Sequence, residues 1–154
     1  MNLKDNQLEE FPVFSLKSTN DLTVNNSIFK KKNIILFLFP KSNTPTCTKQ
    51  SKEFSLFYND FTKKKYHIYG LSNDEIEIQK KFQLKNDIKY DFLSDPELLI
   101  IKKLNCWVEK KMYGKIFFGT ERTTFIIQDN KIIKVWRKVK IKNHVQEILD
   151  FINK

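Results

Sequence analysis

The stretch NIILFLFPKSNTPTCTKQ, residues 33–50, constrains this chain more than any other. Ile34, Ile35, Leu36, Phe37, Leu38 and Phe39 form an unbroken apolar run that stops at Pro40. A strand apolar on successive rather than alternate residues is expected to be covered on both faces, as at the centre of an α/β sheet. After a short polar loop, Thr44 and Pro45 read as the N-cap and first residue of a helix, since proline's missing N–H is harmless there. Cys47 becomes the third helical residue, and the Thr44 hydroxyl is expected to accept its backbone N–H. Phe54, Phe57, Tyr58 and Phe61 continue at helical spacing. Cys47, two turns before Phe54, is therefore expected at the buried edge of the helix, partly open to solvent. The free N–H groups and dipole of a helix N-terminus stabilise a thiolate, which can attack sulfur, oxygen or carbon. The alternative is a buried structural cysteine. With no C-x-x-C pair in the chain, the thiol chemistry shifts from disulfide exchange toward attack by a single sulfur.

The rest of the chain supplies a fold around this stretch. Its 154 residues suit one domain, residues 1–154, with a substantial core. Residues 11–24 read as a hairpin with a polar tip, and residues 25–32 as a connection of about one helical turn. A second strand covers residues 66–72, an amphipathic helix 74–84 with Ile76, Ile78, Lys81 and Phe82 at its margins, and a short strand 91–94. Asp95-Pro96 opens a helix over 97–104. The charged stretch VEKKMYGK after Trp107 receives no element, only turns at Gly114 and Gly119. TTFIIQ and KIIKVWRK, joined by Asp129-Asn130, form a hairpin over 123–138. A closing helix spans 143–152, with Val145, Ile148, Leu149 and Ile152 on one stripe. The order predicts an α/β protein of thioredoxin-like fold: a central mixed sheet flanked by helices, preceded by an N-terminal β-hairpin. Fold alone does not establish chemistry.

A net charge of +10 raises the question of a nucleic-acid or membrane partner. Arg122 and Arg137 are the only arginines, however, and the lysines are spread over the chain. That distribution fits a solvated surface better than a phosphate-reading groove. Two cysteines, Cys47 and Cys106, are too few for a disulfide-stapled scaffold and favour a reducing compartment. MNLKDNQLEEF has no apolar leader, and no run is long enough for a membrane helix, so a cytoplasmic protein is expected. His67 and His144 belong to no cluster of ligand residues and there is no glycine-rich phosphate loop, so neither metal nor cofactor is expected.

Pro40-x-x-x-Thr44-x-x-Cys47 resembles the active-site motif of peroxiredoxins, and its surroundings are similar to the Q-type, or bacterioferritin comigratory protein, group. The resemblance runs through Phe11-Pro12-x-Phe14-x-Leu16, Tyr69-Gly70-Leu71-Ser72-x-Asp74, Phe92-Leu93-Ser94-Asp95-Pro96, the 107–115 stretch WVEKKMYGK, Arg122-Thr123-Thr124-Phe125-Ile126-Ile127 and His144. It implies a thiol peroxidase acting on hydrogen peroxide and organic hydroperoxides. Cys47 would be the peroxidatic thiolate that becomes a sulfenic acid. Thr44 would hold the peroxide, Arg122 would stabilise charge on sulfur and oxygen, and Pro40 would shield the site. The chain departs from the pattern in three places. Thr46 replaces a glycine, Gln50 replaces a frequent glutamate, and Lys52 stands where many members carry a resolving cysteine. Cys106 is the one internal candidate for resolution, against the plainer reading of a space-filling buried cysteine. The default is a one-cysteine cycle completed by glutathione, glutaredoxin or thioredoxin, in a monomer or weak dimer. Two other classes compete: a thiol-based redox sensor or holdase-type binding protein, and a nucleic-acid module using the lysine surface.

Overall fold

A computed structural model of the chain describes residues 9–154; the first eight residues, part of the stretch read as lacking a leader, lie outside the described residues. The edge strand β1 (Glu9–Glu10) comes first. β2 (Ser15–Ser18) and β3 (Thr23–Asn25) make the expected N-terminal hairpin, with Leu16 opposite Val24. The Asn25 side chain then caps the one-turn helix α1 (Asn26–Phe29) by accepting the Ser27 N–H at 2.9 Å. The apolar run becomes β4 (Asn33–Leu38), followed by α2 (Pro45–Leu56), α3 (Tyr58–Lys63) and β5 (Tyr66–Ser72). Next come α4 (Ile76–Lys85), β6 (Asp91–Ser94) and α5 (Leu99–Lys103). Two hairpins, β7 (Trp107–Met112) with β8 (Lys115–Thr120) and β9 (Thr123–Gln128) with β10 (Lys131–Trp136), precede the last helix α6 (His144–Ile152).

Among the described residues, eight strands form one mixed sheet in the order β1-β10-β9-β4-β5-β6-β2-β3. β4 pairs parallel with β5 and antiparallel with β9, so it lies at the centre, as its continuous hydrophobicity demands. Its alternate side chains feed two cores. Ile34, Leu36 and Leu38 join Phe29, Ile100, Leu104, Phe125 and Cys106 on one face. Ile35, Phe37 and Phe39 join Cys47, Phe54, Phe61, Phe82 and Ile148 on the other. Helices α1 and α5 thus cover one face, and α2, α3, α4 and α6 the opposite one. This is the thioredoxin-like sandwich that the element order predicts.

The differences from the sequence reading have local causes. The first long helix breaks at Phe57, whose φ of −92° and ψ of 9° leave α geometry. Phe54 and Phe61 stay buried on either side of the break while Phe57 and Tyr58 are half-buried. Helix α4 begins at Ile76 rather than Asp74 because the Asp74 carboxylate is engaged by Ser42 and Ser72. Its inward residues are Gln79 and Phe82, whereas Ile78 is exposed. The helix expected from Glu97 starts two residues later, after Leu98 in the left-handed region at φ 61°. Asp95 caps it, its carboxylate accepting the N–H groups of Leu99, Ile100 and Ile101 at 2.8, 3.0 and 2.9 Å. The unassigned VEKKMYGK builds the β7–β8 hairpin, turned by Tyr113 and Gly114 at φ 52° and 76° and paired to no other strand among the described residues. Its apolar side chains on β8, Ile116, Phe117 and Phe118, are exposed, so no burial pattern marks it in sequence.

Candidate active site

Cys47 is held by the strand below it and by the loop before it. The Phe37 and Phe54 rings stack with centroids 4.4 Å apart, fixing α2 on β4. The Tyr90 hydroxyl donates to the Ser51 carbonyl at 2.8 Å, a second tie beneath the same helix. Gly70 on β5 leaves room for this aromatic layer: a Cβ there would meet the Phe92 ring at 2.5 Å. The loop from Pro40 to Thr44 is anchored by Asp74, whose carboxylate accepts the Ser42 N–H at 2.8 Å, the Ser42 hydroxyl at 2.9 Å and the Ser72 hydroxyl at 2.8 Å. Sequence reasoning treated Asp74 as a helix opener. An acid directly after a strand, facing the loop of the neighbouring strand, was the available signal.

Thr44 and Pro45 occupy the predicted N-cap and first helical positions. The expected hydroxyl bond to the Cys47 N–H is not made. The Thr44 hydroxyl instead turns back and donates to the Lys41 carbonyl at 3.1 Å, closing the loop on itself. Pro40 is half-buried just after β4. Cys47 is more enclosed than its helix stripe suggested, at 1% exposure.

Arg122 reaches Cys47 from the two-residue link between β8 and β9. Its Nη2 donates to the Cys47 Sγ at 3.2 Å, and its Nη1 to the Gln50 side-chain oxygen. Gln50 lies three residues after Cys47 on α2, so one fork of Arg122 spans neighbouring side chains on the same helix face. The Gln50 amide nitrogen is buried with no hydrogen-bond partner among the described residues. The link is fixed at both ends: the Glu121 N–H donates to the Cys106 carbonyl at 2.7 Å, and the Val139 N–H to the Arg122 carbonyl at 2.8 Å.

Cys106 is fully buried, in the core on the opposite face of the sheet from Cys47. The structure does not bring the two thiols together. Burial pushes the Cys106 thiol up, against the pull of Thr123 and Arg137. His144 is also buried, sharing a 2.9 Å hydrogen bond with the Thr124 hydroxyl and a 3.1 Å contact with Glu147. Burial lowers its pKa, with Glu147 opposing. It fastens α6 to β9. His67 is exposed on β5.

An enclosed sulfur at a helix N-terminus, hydrogen-bonded by a guanidinium and flanked by a short anchored loop, suits attack on a small electrophile with a charge-accepting leaving atom. Comparison with known proteins agrees. The model of the AhpC/TSA family matches residues 8–136. The chain is 37% identical over 142 residues to peroxiredoxin Bcp of Bacillus subtilis, covering 92% of this chain and 90% of that one. It is 31% identical to a putative peroxiredoxin bcp of Coxiella burnetii, with coverage of 92% and 94%. Xanthomonas campestris bacterioferritin comigratory protein, solved in trapped intermediate and ligand complexes that address its alkyl peroxide reduction, superposes with a TM-score of 0.85 at 25% identity, over 91% of this chain and 90% of that one. Peroxiredoxin Q of the same organism gives 0.86 at 26% identity, over 91% and 89%. No described helix is long and apolar enough to cross a membrane. The chain belongs to the AhpC/TSA family and is a thiol-dependent peroxidase of its Bcp, or Q-type, peroxiredoxin group.

Proposed function

We propose that Cys47 is the peroxidatic residue and that an external thiol completes its cycle. In the first step the Cys47 sulfur attacks the terminal peroxide oxygen. An S–O bond forms as the O–O bond breaks, and the second oxygen leaves with a proton as water or an alcohol. Arg122 stabilises the charge that moves from sulfur to the departing oxygen, Thr44 orients the peroxide, and Pro40 keeps bulk water from the sulfur. The observation that carries this reading is the 3.2 Å contact between Arg122 and Cys47, residues separated by 75 positions. Arg122 gives its other donor to the neutral Gln50 oxygen, which leaves its charge available to negative charge on the sulfur.

The position of Cys106 supports the second step. With that thiol in the other core and Lys52 in α2, the sulfenic acid condenses with an incoming thiol such as glutathione, glutaredoxin or thioredoxin, releasing water. A second equivalent of thiol then reduces the mixed disulfide. The chain works as one domain, monomeric or weakly dimeric, in a reducing cytoplasm. Rapid-mixing fluorescence with hydrogen peroxide tests the first step: wild type and Cys106→Ser are expected to react alike, and Cys47→Ser not at all. Normal peroxide consumption by Cys47→Ser would overturn the assignment. A redox sensor is separated from an enzyme by turnover, since a sensor stops after one oxidation in the presence of excess thiol.

A further inference from the structure

The β7–β8 hairpin stands out for what it leaves in solvent. Met112, Tyr113, Ile116, Phe117 and Phe118 are all exposed within one short ribbon. So dense an exposed apolar cluster marks a surface made to be covered. The register sorts it by face: Ile116 lies opposite Lys111 and Phe118 opposite Glu109 on one side, and Phe117 opposite Lys110 on the other. That second side is partly filled. The Lys110 stem lies across Gly119, where an added Cβ would meet Cδ and Cε at 3.4 Å, and its ammonium donates to the Thr120 carbonyl at 2.7 Å. Ile116 and Phe118 are each 59% exposed against 41% for Phe117, so the first side is the open one. The lysine strap ties the two strands together at the base of the ribbon, and a surface fixed in advance loses less entropy on binding.

The ribbon leaves the sheet at the end that carries Cys47. β9 begins at Thr123, opposite Leu38, the last residue of β4, and the loop to Cys47 departs from Leu38. Only Glu121 and Arg122 separate β8 from β9, and Arg122 donates to the Cys47 sulfur at 3.2 Å. The exposed charge along these segments is basic. Lys41 on the loop and Lys49 and Lys52 on α2 are exposed, with no acid in residues 40–52. Lys111 and Lys115 are exposed on the hairpin, against the single acid Glu109. None of these lysines forms a salt bridge among the described residues. A second copy of a chain with net charge +10 would bring like charges together, whereas an acidic partner would satisfy both the lysines and the apolar face.

We propose that this hairpin, with the lysines beside Cys47, docks the protein that reduces oxidised Cys47: a dithiol protein whose contact surface is apolar and edged with carboxylates. This deepens the external-thiol reading above and rests on it. The docked thiol's sulfur bonds to the Cys47 sulfur as the S–O bond of the sulfenic acid breaks, and the oxygen leaves with the thiol's proton as water. The reductant's second thiol then attacks the first in the mixed disulfide, so that Cys47 leaves as a thiol and the reductant as a disulfide. Seating the reductant on the hairpin raises the local concentration of its thiol at the site, an advantage that a small thiol does not share.

The probe is a thioredoxin of negative net charge, kept reduced by its reductase, with dithiothreitol as the small-thiol control. Two double variants are compared with wild type: Ile116→Ser with Phe118→Ser, and Lys111→Glu with Lys115→Glu. Each pair is expected to raise the KM for thioredoxin about tenfold, while dithiothreitol-driven turnover and the rapid-mixing rate of Cys47 with peroxide stay within about twofold of wild type. Raising the ionic strength from about 0.05 M to about 0.5 M should raise the wild-type KM for thioredoxin and leave the dithiothreitol rate unchanged. An unchanged thioredoxin KM in either pair, or equal losses with both thiols, overturns the proposal. So does a wild type that turns over with dithiothreitol but not with thioredoxin. A wild-type dimer that Ile116→Ser with Phe118→Ser converts to a monomer in light scattering would assign the face to a second copy and overturn it as well. A wild type inert to peroxide would contradict the peroxidase reading instead. Docking is then still read by the thioredoxin-driven release of thionitrobenzoate from its mixed disulfide with Cys47, which the same variants should slow about tenfold.

Discussion

Each of the two cysteines has one of the two arginines beside it, and the two pairs are built differently. Arg122 gives one side of its fork to the neutral Gln50 oxygen and the other to Cys47 at 3.2 Å. Arg137 is bonded to the Glu121 carboxylate at 3.1 Å and to the Leu104 and Asn105 carbonyls at 3.0 and 3.4 Å, and reaches the Cys106 sulfur only at 3.7 Å. Adjacent residues of one link, Glu121 and Arg122, serve the two pairs on opposite faces of the sheet. The acid sits with Cys106 and the amide with Cys47, so under the proposed function the charge of Arg122 remains for the Cys47 sulfur while that of Arg137 is met by Glu121.

The largest expected effect lies at the sulfurs themselves. Cys47→Ser removes peroxide turnover altogether, whereas Cys106→Ser leaves the rate of the first oxidation within about twofold, read by rapid mixing. The arginines should separate just as clearly. Arg122→Ala is expected to lower kcat/KM by about 10²–10³-fold, as for loss of one donor to a developing anion, and to cost about 1–3 kcal/mol because the buried Gln50 oxygen loses its donor. Arg137→Ala should act on stability alone. It leaves the Glu121 carboxylate unpaired at 11% side-chain exposure and is expected to cost about 3 kcal/mol in urea denaturation, with the peroxide reaction retained. If both arginine variants lost activity equally, the contrast between the two pairs would collapse.

A smaller effect probes the scaffold around Cys47. Asp74→Ala leaves the Ser42 N–H and two buried hydroxyls without their acceptor, which is expected to cost about 2 kcal/mol. The loosened loop should slow peroxide oxidation about fivefold, because reacting atoms must be held in line. The smallest effect concerns His144. Its pKa is lowered by burial, so the unfolded chain binds the proton more readily than the folded one. The stability tied to neutral His144 is fully present above its ordinary value of 6.5 and is lost as pH falls below it. Urea midpoints measured on either side of that pH should show the decline in wild type and a weaker one in His144→Gln.

Much of this was legible in residue types and spacing. The uninterrupted hydrophobicity of 34–39 identified the central strand, and Asp129-Asn130 identified the β9–β10 turn, where both residues adopt positive φ of 50° and 62°. Thr44, Pro45 and Cys47 fixed the start of α2, and the motif linked Arg122 to it before any contact was visible. What stayed hidden depends on long-range partners. Asp74 and Asp95 look like ordinary helix openers, yet one ties a loop across two strands and the other caps from four residues before its helix. Lys110 looks like a surface lysine because nothing local distinguishes a stem packed on Gly119 from one in water. The separation of Cys47 from Cys106 by a whole sheet follows from topology, which spacing alone does not reveal.

Intact-mass spectrometry after one equivalent of hydrogen peroxide, with no added thiol, tests most directly the claim that Cys47 reacts alone and Cys106 does not resolve it. Wild type and Cys106→Ser should each gain a single oxygen atom, trapped at Cys47 by a sulfenate reagent, and Cys47→Ser should gain none. Loss of two hydrogen atoms in wild type, absent in Cys106→Ser, would reveal a disulfide between the two thiols and contradict the account.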